Sequence, residues 1–294
     1  MPQHPATRNT ISLEEAEILS HQACSGAQYL MRLQAPEIAK DARPGSFVHL
    51  RCDPALPMRR PMSIMRADAR AGWIDILYKA HGLGTRLLAK RRESETLSVL
   101  GPIGVPFKTK DYCQRPLLIG GGVGIPPMVF LAEHIKNNHK AVSPLVIMGS
   151  EIPFPFQTRP SRMLIEGMPG DVIATMPLLE DWGIPCRLTS LSGFAGCYTG
   201  YVTDLARLWL EQLSPEQRRA VEIFTCGPTP MLKSVAALAR QFALPCQVSM
   251  EESMACAVGG CAGCAIRVET GSGPAMQRVC VDGPVFEAAS VFPS

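Results

Sequence analysis

The chain lacks any block of like charge. Its 29 Lys and Arg and 26 Asp and Glu leave a formal net charge of +3, dispersed over 294 residues. A basic arm for nucleic acid and an acidic interaction tail are both excluded, and the short runs "MRRPM" and "KRRES" read as solvated faces or phosphate contacts. Long apolar runs are also missing. Gly, Pro or a charge interrupts each one well short of the roughly 18 residues needed to cross a bilayer, so no membrane span is expected. The N-terminal "MPQHPATRNTISLEEAE" has no apolar stretch of the signal-peptide kind, and the expected compartment is the cytoplasm. No internal repeat is present. Nor is there a nucleophile–base pair or a pair of catalytic carboxylates, and His81 reads as a loop residue.

Cysteine, by contrast, is plentiful, with eleven in all. In a reducing compartment these do not form a disulfide framework. Seven of them (Cys24, Cys52, Cys113, Cys186, Cys197, Cys226 and Cys246) are dispersed and suit small buried side chains. The other four, Cys256, Cys261, Cys264 and Cys280, follow the spacing C-x4-C-x2-C-x15-C. Gly259, Gly260 and Gly263 lie among them, where side chains would keep backbone amides from the sulfurs. Structural zinc sites generally use two short C-x2-C-like pairs, and only one short pair exists here. The spacing is that of plant-type 2Fe–2S ferredoxins with a shortened last gap. It favours a 2Fe–2S cluster, with zinc as the alternative.

Along the chain, "GSFVHLRC", "GWIDILYKA" and "ETLSVLGP" are short stretches bounded by Gly, Pro or charge, and Ile74, Ile76 and Tyr78 share one face. With no strong helix between them, they suggest an antiparallel β-barrel. Near Asp111 the texture changes. "RPLLIGGGVGIPPMVFLAEHIKNN" is a strand, a glycine loop and a helix with Pro126 and Pro127 at its start. Met128, Leu131, Ala132 and Ile135 recur at helical spacing. "SPLVIMGS" is the next strand, and "GYVTDLARLWLEQL" is an amphipathic helix. "AVEIFTCGPTPMLKSVAALARQF" repeats the strand–loop–helix unit. Such alternation predicts an α/β domain with a parallel sheet. From Cys246 onward helix signals vanish. The expected division is a barrel over 1–108, an α/β nucleotide domain over 109–245 and a small cysteine-bearing domain over 246–294.

Two further stretches suit nucleotides. "GGGVGIPP" places Gly120, Gly121, Gly122 and Gly124 between a strand and a helix, where a pyrophosphate can meet backbone amides. It departs from G-x-G-x-x-G because Ile125 stands in the final position, and an ordinary tight turn is the alternative. In "RRPMSI", Arg60 can pair with a pyrophosphate and Ser63 offers a hydroxyl. In "YKAHGLGTRL", Gly82, Gly84 and Thr85 can form a second phosphate cradle. In isolation, a bulged strand end with a solvated arginine is the preferred explanation of these stretches.

Taken in order, these motifs resemble the ferredoxin–NADP reductase superfamily: Arg60-Pro61-Met62-Ser63, Gly82 to Thr85, Gly120 to Gly124, and Cys226-Gly227-Pro228 with Met231. The tail "MEESMACAVGGCAGCAIRV…RVCVDGPVFEA" narrows the match. It is similar to the electron-transfer subunits of two-component, NAD-dependent dihydroorotate dehydrogenases, and the likeness covers nearly the whole chain.

The resemblance implies FAD on Arg60 to Ser63, on Leu77-Tyr78-Lys79 and on Gly84-Thr85. It implies NAD near the glycine loop and Cys226-Gly227-Pro228, with Cys226 positioning the nicotinamide and not acting as a nucleophile. A 2Fe–2S cluster is implied on Cys256, Cys261, Cys264 and Cys280. The implied partner is an FMN-containing catalytic subunit, in a hetero-oligomer that oxidises dihydroorotate to orotate in pyrimidine biosynthesis. Side chains that advertise no acid–base chemistry suit such an oxidoreductase, whose cofactors carry the reaction. Residues 150–199 depart from the family, being rich in Pro and Met. Leu191 to Cys197 carries no acid, which opens the choice between NAD and NADP. Glu151 can accept from a ribose diol and leans towards NAD.

Overall fold

The computed structural model describes residues 10–108 and 114–293. Cys113 and the expected change of texture near Asp111 lie outside the described residues. The first part is a closed antiparallel barrel of six strands, in the order β1 (Ser12–Cys24), β2 (Gln28–Gln34), β5 (Trp73–Lys79), β4 (Arg60–Asp68), β3 (Phe47–Leu50) and β6 (Thr96–Ile103). Two helices of six residues interrupt it, α1 (Pro36–Asp41) and α2 (Leu83–Leu88); the sequence shows no strong helix there because neither spans two full turns. Ile74, Ile76 and Tyr78 do share one face, and all three enter the barrel core. Asp75, on the opposite face, is buried as well. Its carboxylate takes two hydrogen bonds from Arg32, at 2.7 and 2.9 Å, which is how a charge inside an apolar strand is tolerated.

The second part is a seven-stranded sheet. Its strands in chain order are β7 (Arg115–Gly121), β8 (Leu145–Gly149), β11 (Cys186–Ser190), β12 (Tyr198–Thr199), β13 (Val221–Cys226), β14 (Cys246–Ser249) and β17 (Val285–Glu287), and the spatial order is β12-β11-β8-β7-β13-β14-β17. All pairings are parallel except the last, β14 with β17. The glycine loop leads into α3 (Ile125–Asn138), with Pro126 and Pro127 in its first turn. A two-stranded ribbon, β9 (Arg159–Pro160) with β10 (Ala174–Thr175), and α4 (Pro177–Asp181) lie between β8 and β11. The periodic stretches form α5 (Val202–Gln212) and α7 (Thr229–Gln241), with α6 (Pro215–Arg219) between them. Val202, Leu205, Trp209 and Leu210 are buried as their spacing requires.

The cysteine segment leaves this sheet after β14 and re-enters it at β17. Between them it forms a loop and the hairpin β15 (Ala265–Thr270) with β16 (Gly273–Arg278). A last helix of four residues, α8 (Ala288–Val291), follows. Two seams hold the parts together. Arg66 of β4 reaches Glu133 of α3 at 2.6 Å, joining barrel to sheet. Val105, just past β6, bridges to Pro284 and donates its N–H to the Gly283 carbonyl at 2.6 Å. "CVDGPVF" is therefore the stretch that docks the cysteine segment on the barrel. Gly104 is indispensable there, since a Cβ would fall 2.4 Å from Pro284 Cδ at a φ of +98°.

Candidate functional site

Two cavities adjoin, sharing Lys79 and Val123 in their walls. The first, of about 710 Å³, is lined by Arg60 to Ser63 of β4, Leu77 to Lys79 of β5, and Thr85. Three parts of the expected flavin site, distant in sequence, thus face one space. The two arginines of "MRRPM" have different work. Both line the cavity, but the Arg59 guanidinium is held by the barrel strands, donating to the Ser98 carbonyl (2.7 Å), the Ser98 hydroxyl (2.9 Å) and the His49 carbonyl (3.2 Å). Arg60 lines the cavity and holds the Met58 and Arg59 carbonyls through Nη1, at 3.0 Å each. Gly84 is not part of the lining. A Cβ on it would lie 3.3 Å from Arg60 Nε, so its bareness is what lets the guanidinium rest against α2. Thr85 contributes to the wall, but its hydroxyl also caps α2 by accepting the N–H groups of His81 and Gly82 at 3.0 and 3.1 Å. The ring of Tyr78 points into the barrel core and its hydroxyl meets His21 Nε2 at 2.8 Å.

The second cavity, of about 670 Å³, opens at the carboxyl ends of the parallel strands. Gly121 ends β7 there with Gly122 just after it, Gly149 ends β8, and Pro228 follows β13. This is the switch point of a doubly wound sheet, where dinucleotides bind. Gly120, Gly124, Cys226 and Gly227 are not in its wall but form the packing behind it. A Cβ on Gly124 would fall 2.1 Å from the Cys226 carbonyl oxygen, so this glycine lets the loop touch the end of β13. Glu151 lines the cavity together with Leu191 and Tyr201. Lys79 and Val123 line both cavities, so molecules filling the two spaces meet at that shared wall.

The sequence reading assigned no role to Ser249 through Met254, yet these residues close the far side of the first cavity. Glu251 has solvent access but lies deep in that cavity, and desolvation pushes its carboxyl pKa up. Cys226 Sγ lies 4.0 Å from Glu251 Oε1. Burial first, then the Glu251 charge, push the Cys226 thiol far up, so it is no thiolate nucleophile. The acidic pair Glu251-Glu252 just upstream of the cysteines was the available signal for this wall.

The four clustered cysteines come together. Cys261 N–H donates to Cys256 Sγ and Gly263 N–H to Cys261 Sγ, both at 3.4 Å. Burial raises the Cys256 pKa, but N–H groups of the loop, that of Cys261 foremost, outweigh it and bring the thiol down to about 7. Cys280 is raised to about 12, by burial and then by the adjoining Cys264 thiol. Ala257, Gly259 and Ala262 hold φ of 58°, 81° and 54°, and such left-handed residues gather amides into an anion-binding nest. The glycines matter unequally: Gly259 meets the left-handed requirement, whereas a Cβ on Gly260 would meet nothing within 4 Å. Arg278, which the sequence reading did not single out, ties the Gly259 carbonyl at 3.0 Å. Among the described residues no group of three or more His, Cys, Asp or Glu side chains is arranged to hold a single metal ion. The thiols stand as two neighbouring pairs, Cys256 with Cys261 and Cys264 with Cys280. Clustered thiols with loop amides donating to Cys256 and Cys261 fit an anionic iron–sulfur cluster.

Residues 251–292 match the iron–sulfur cluster binding domain of dihydroorotate dehydrogenase B. The electron-transfer subunit of dihydroorotate dehydrogenase B (NAD(+)) from Shouchella clausii is 32% identical, over 90% of this chain and 92% of the relative. That from Bacillus caldolyticus is 33% identical, over 96% and 99%. The chain belongs to this family of electron-transfer subunits. Among solved structures, that of an NADH-dependent reduced ferredoxin–NADP oxidoreductase superposes with a TM-score of 0.75 at 26% identity, covering 95% of this chain and 90% of the other. Phthalate dioxygenase reductase shares the fold, with a TM-score of 0.59 at 14% identity.

Proposed function

We propose that this chain is the electron-transfer subunit of a dihydroorotate dehydrogenase, carrying electrons between NAD and a catalytic partner by way of FAD and a 2Fe–2S cluster. The observation that carries the reading is continuity. The nicotinamide-type cavity shares Lys79 and Val123 with the flavin-type cavity, and the segment closing the latter, Ser249 to Met254, runs directly to Cys256.

The cofactors supply hydride exchange, conversion of an electron pair to single electrons, and one-electron conduction; the chain's part is to hold them in that order. Arg60 pairs with the flavin pyrophosphate, with Pro61, Met62 and Ser63 along the flavin and Leu77, Tyr78 and Lys79 beside it, Tyr78 through its backbone. Gly121, Gly122 and Pro228 receive the dinucleotide, and Gly124 and Cys226 shape the wall behind. Cys256, Cys261, Cys264 and Cys280 ligate the cluster. Cys261 is exposed, which puts the outlet at the surface, where a partner docks. The partner is an FMN-bearing catalytic subunit in a hetero-oligomer, and the compartment is the cytoplasm. The functional units are 1–108, 109–245 and 246–294, the last sharing a sheet with the second.

Purified protein is expected to hold about one FAD, two irons and two acid-labile sulfides per chain. Stoichiometric zinc without labile sulfide would overturn the reading. A second reading, a reductase subunit of a different complex, draws on the likeness to the ferredoxin–NADP oxidoreductase. The co-purifying subunit distinguishes the two: one that oxidises dihydroorotate supports the first.

A further inference from the structure

His49 stands within β3, where Val48 and Leu50 enter the barrel core and Phe47 and His49 alternate to the outer face. Phe47 on that face packs in the same apolar cluster as Cys264 and Cys280. Leu100, opposite His49 on β6, packs against this cluster, as does Met254. His49 is 1% exposed, and neither ring nitrogen meets a partner at hydrogen-bonding geometry. The backbones of Met254 and Arg59 favour a charged ring. Burial first, then the Arg59 and Arg60 charges, hold it neutral, with a pKa of about 4.

A leucine would fill this seam without leaving two buried polar atoms unsatisfied, so an imidazole there calls for a reason. Its surroundings supply one. Met254 lines the flavin-type cavity and lies two residues from Cys256. We propose that His49 is a positioning residue: its imidazole, buried between barrel and cysteine segment, donates to the Met254 backbone and so fixes the stretch that runs from the flavin cavity to the cluster. The proposal rests on the functional reading above for its consequence but not for its geometry. The proposal requires the Met254 carbonyl to come within hydrogen-bonding geometry of the ring, and the lone donor then holds one backbone carbonyl between the two cofactor sites.

The test uses the full chain with its cofactors and the variants His49→Leu, which keeps apolar volume without a donor, and His49→Gln, which keeps a donor. Amide hydrogen exchange across residues 251–258 should quicken at least tenfold in His49→Leu and return towards wild type in His49→Gln. Cluster reduction by NADH, followed by electron paramagnetic resonance, should fall tenfold or more in His49→Leu relative to turnover with an acceptor that draws from the flavin directly. Wild-type exchange and wild-type cluster reduction in His49→Leu would overturn the proposal. If that variant does not fold, nitrogen-15 histidine spectra of the oxidised wild type decide. The proposal requires a neutral ring with one persistent N–H from pH 5 to 8, and a ring that titrates in that window contradicts it. A wild type lacking iron and labile sulfide defeats the functional reading instead, and the exchange measurement still decides on His49.

Discussion

Arg59 and Arg60 are neighbours in sequence, yet a single change at each should break different things. Arg60 lines the flavin-type cavity and rests on the bare Gly84. If Arg60 pairs with the flavin pyrophosphate as proposed, Arg60→Ala loses a charge-assisted hydrogen bond, at a cost of about 1.5–3 kcal/mol. FAD affinity should therefore fall roughly tenfold to hundredfold while iron content holds, as a binding titration with apoprotein and an iron assay will show. Unchanged affinity would mean that the arginine serves only the Met58 and Arg59 carbonyls. Cys256 offers a residue-scale test by pH. Its thiol is brought from 9.0 to about 7, so in cluster-free protein its alkylation should reach half its maximal rate near pH 7. The sign for stability follows. A depressed folded pKa contributes stability that is complete above pH 9 and lost as pH falls through 7. Mass spectrometry of pH-dependent alkylation checks this, and a half-point near 9 would remove the amide nest as its cause.

At the scale of elements, the glycines divide by what their missing side chains would strike. Gly124→Ala places a methyl 2.1 Å from a backbone oxygen at the end of β13, where no rotamer change can relieve it. The expected cost is about 3 kcal/mol or more, with loss of NADH-dependent flavin reduction. Gly260→Ala meets open space and should leave stability within about 0.5 kcal/mol and iron content intact. Denaturant unfolding and iron analysis of the pair test the distinction, and similar losses in both would contradict it. The sequence could not make this separation, because "GGGVG" and "GGCAG" look alike until the facing backbone is known. The strand–loop–helix units were legible, since their apolar periods and the prolines of α3 are local signals. β1 was not. "SLEEAEILSHQAC" is rich in helix formers, and only Ala16 and Ile18 enter the core; pairing with β2 on one side and β6 on the other makes it a strand.

At the scale of the molecule, motif order along the chain disclosed the cofactor set, but the meeting of distant segments was beyond it. Lys108 and Gln247 exchange hydrogen bonds of 2.9 and 3.1 Å across 139 residues, and nothing local in either stretch marks the seam. That seam carries Glu251 to Met254 into the first cavity, and with the proposed cofactor sites it makes the electron path a serial one. Serial order has a consequence that Cys261→Ser tests. A serine oxygen is a harder donor than thiolate and its hydroxyl gives up its proton far less readily, so it holds iron poorly and the cluster should be lost or crippled. Cys261 lines neither cavity, although the segment that precedes the cysteines, Ser249 to Met254, closes the first. NADH should still reduce FAD, and an acceptor drawing from the flavin should turn over at close to the wild-type rate. Transfer to or from the catalytic partner should drop at least a hundredfold. Assembly must be measured alongside, by co-elution of the two subunits, because the exposed Cys261 lies where the partner is proposed to dock. An assembled mutant complex that links dihydroorotate oxidation to NAD reduction at the wild-type rate would mean that electrons bypass the cysteine loop, and the serial order would be wrong.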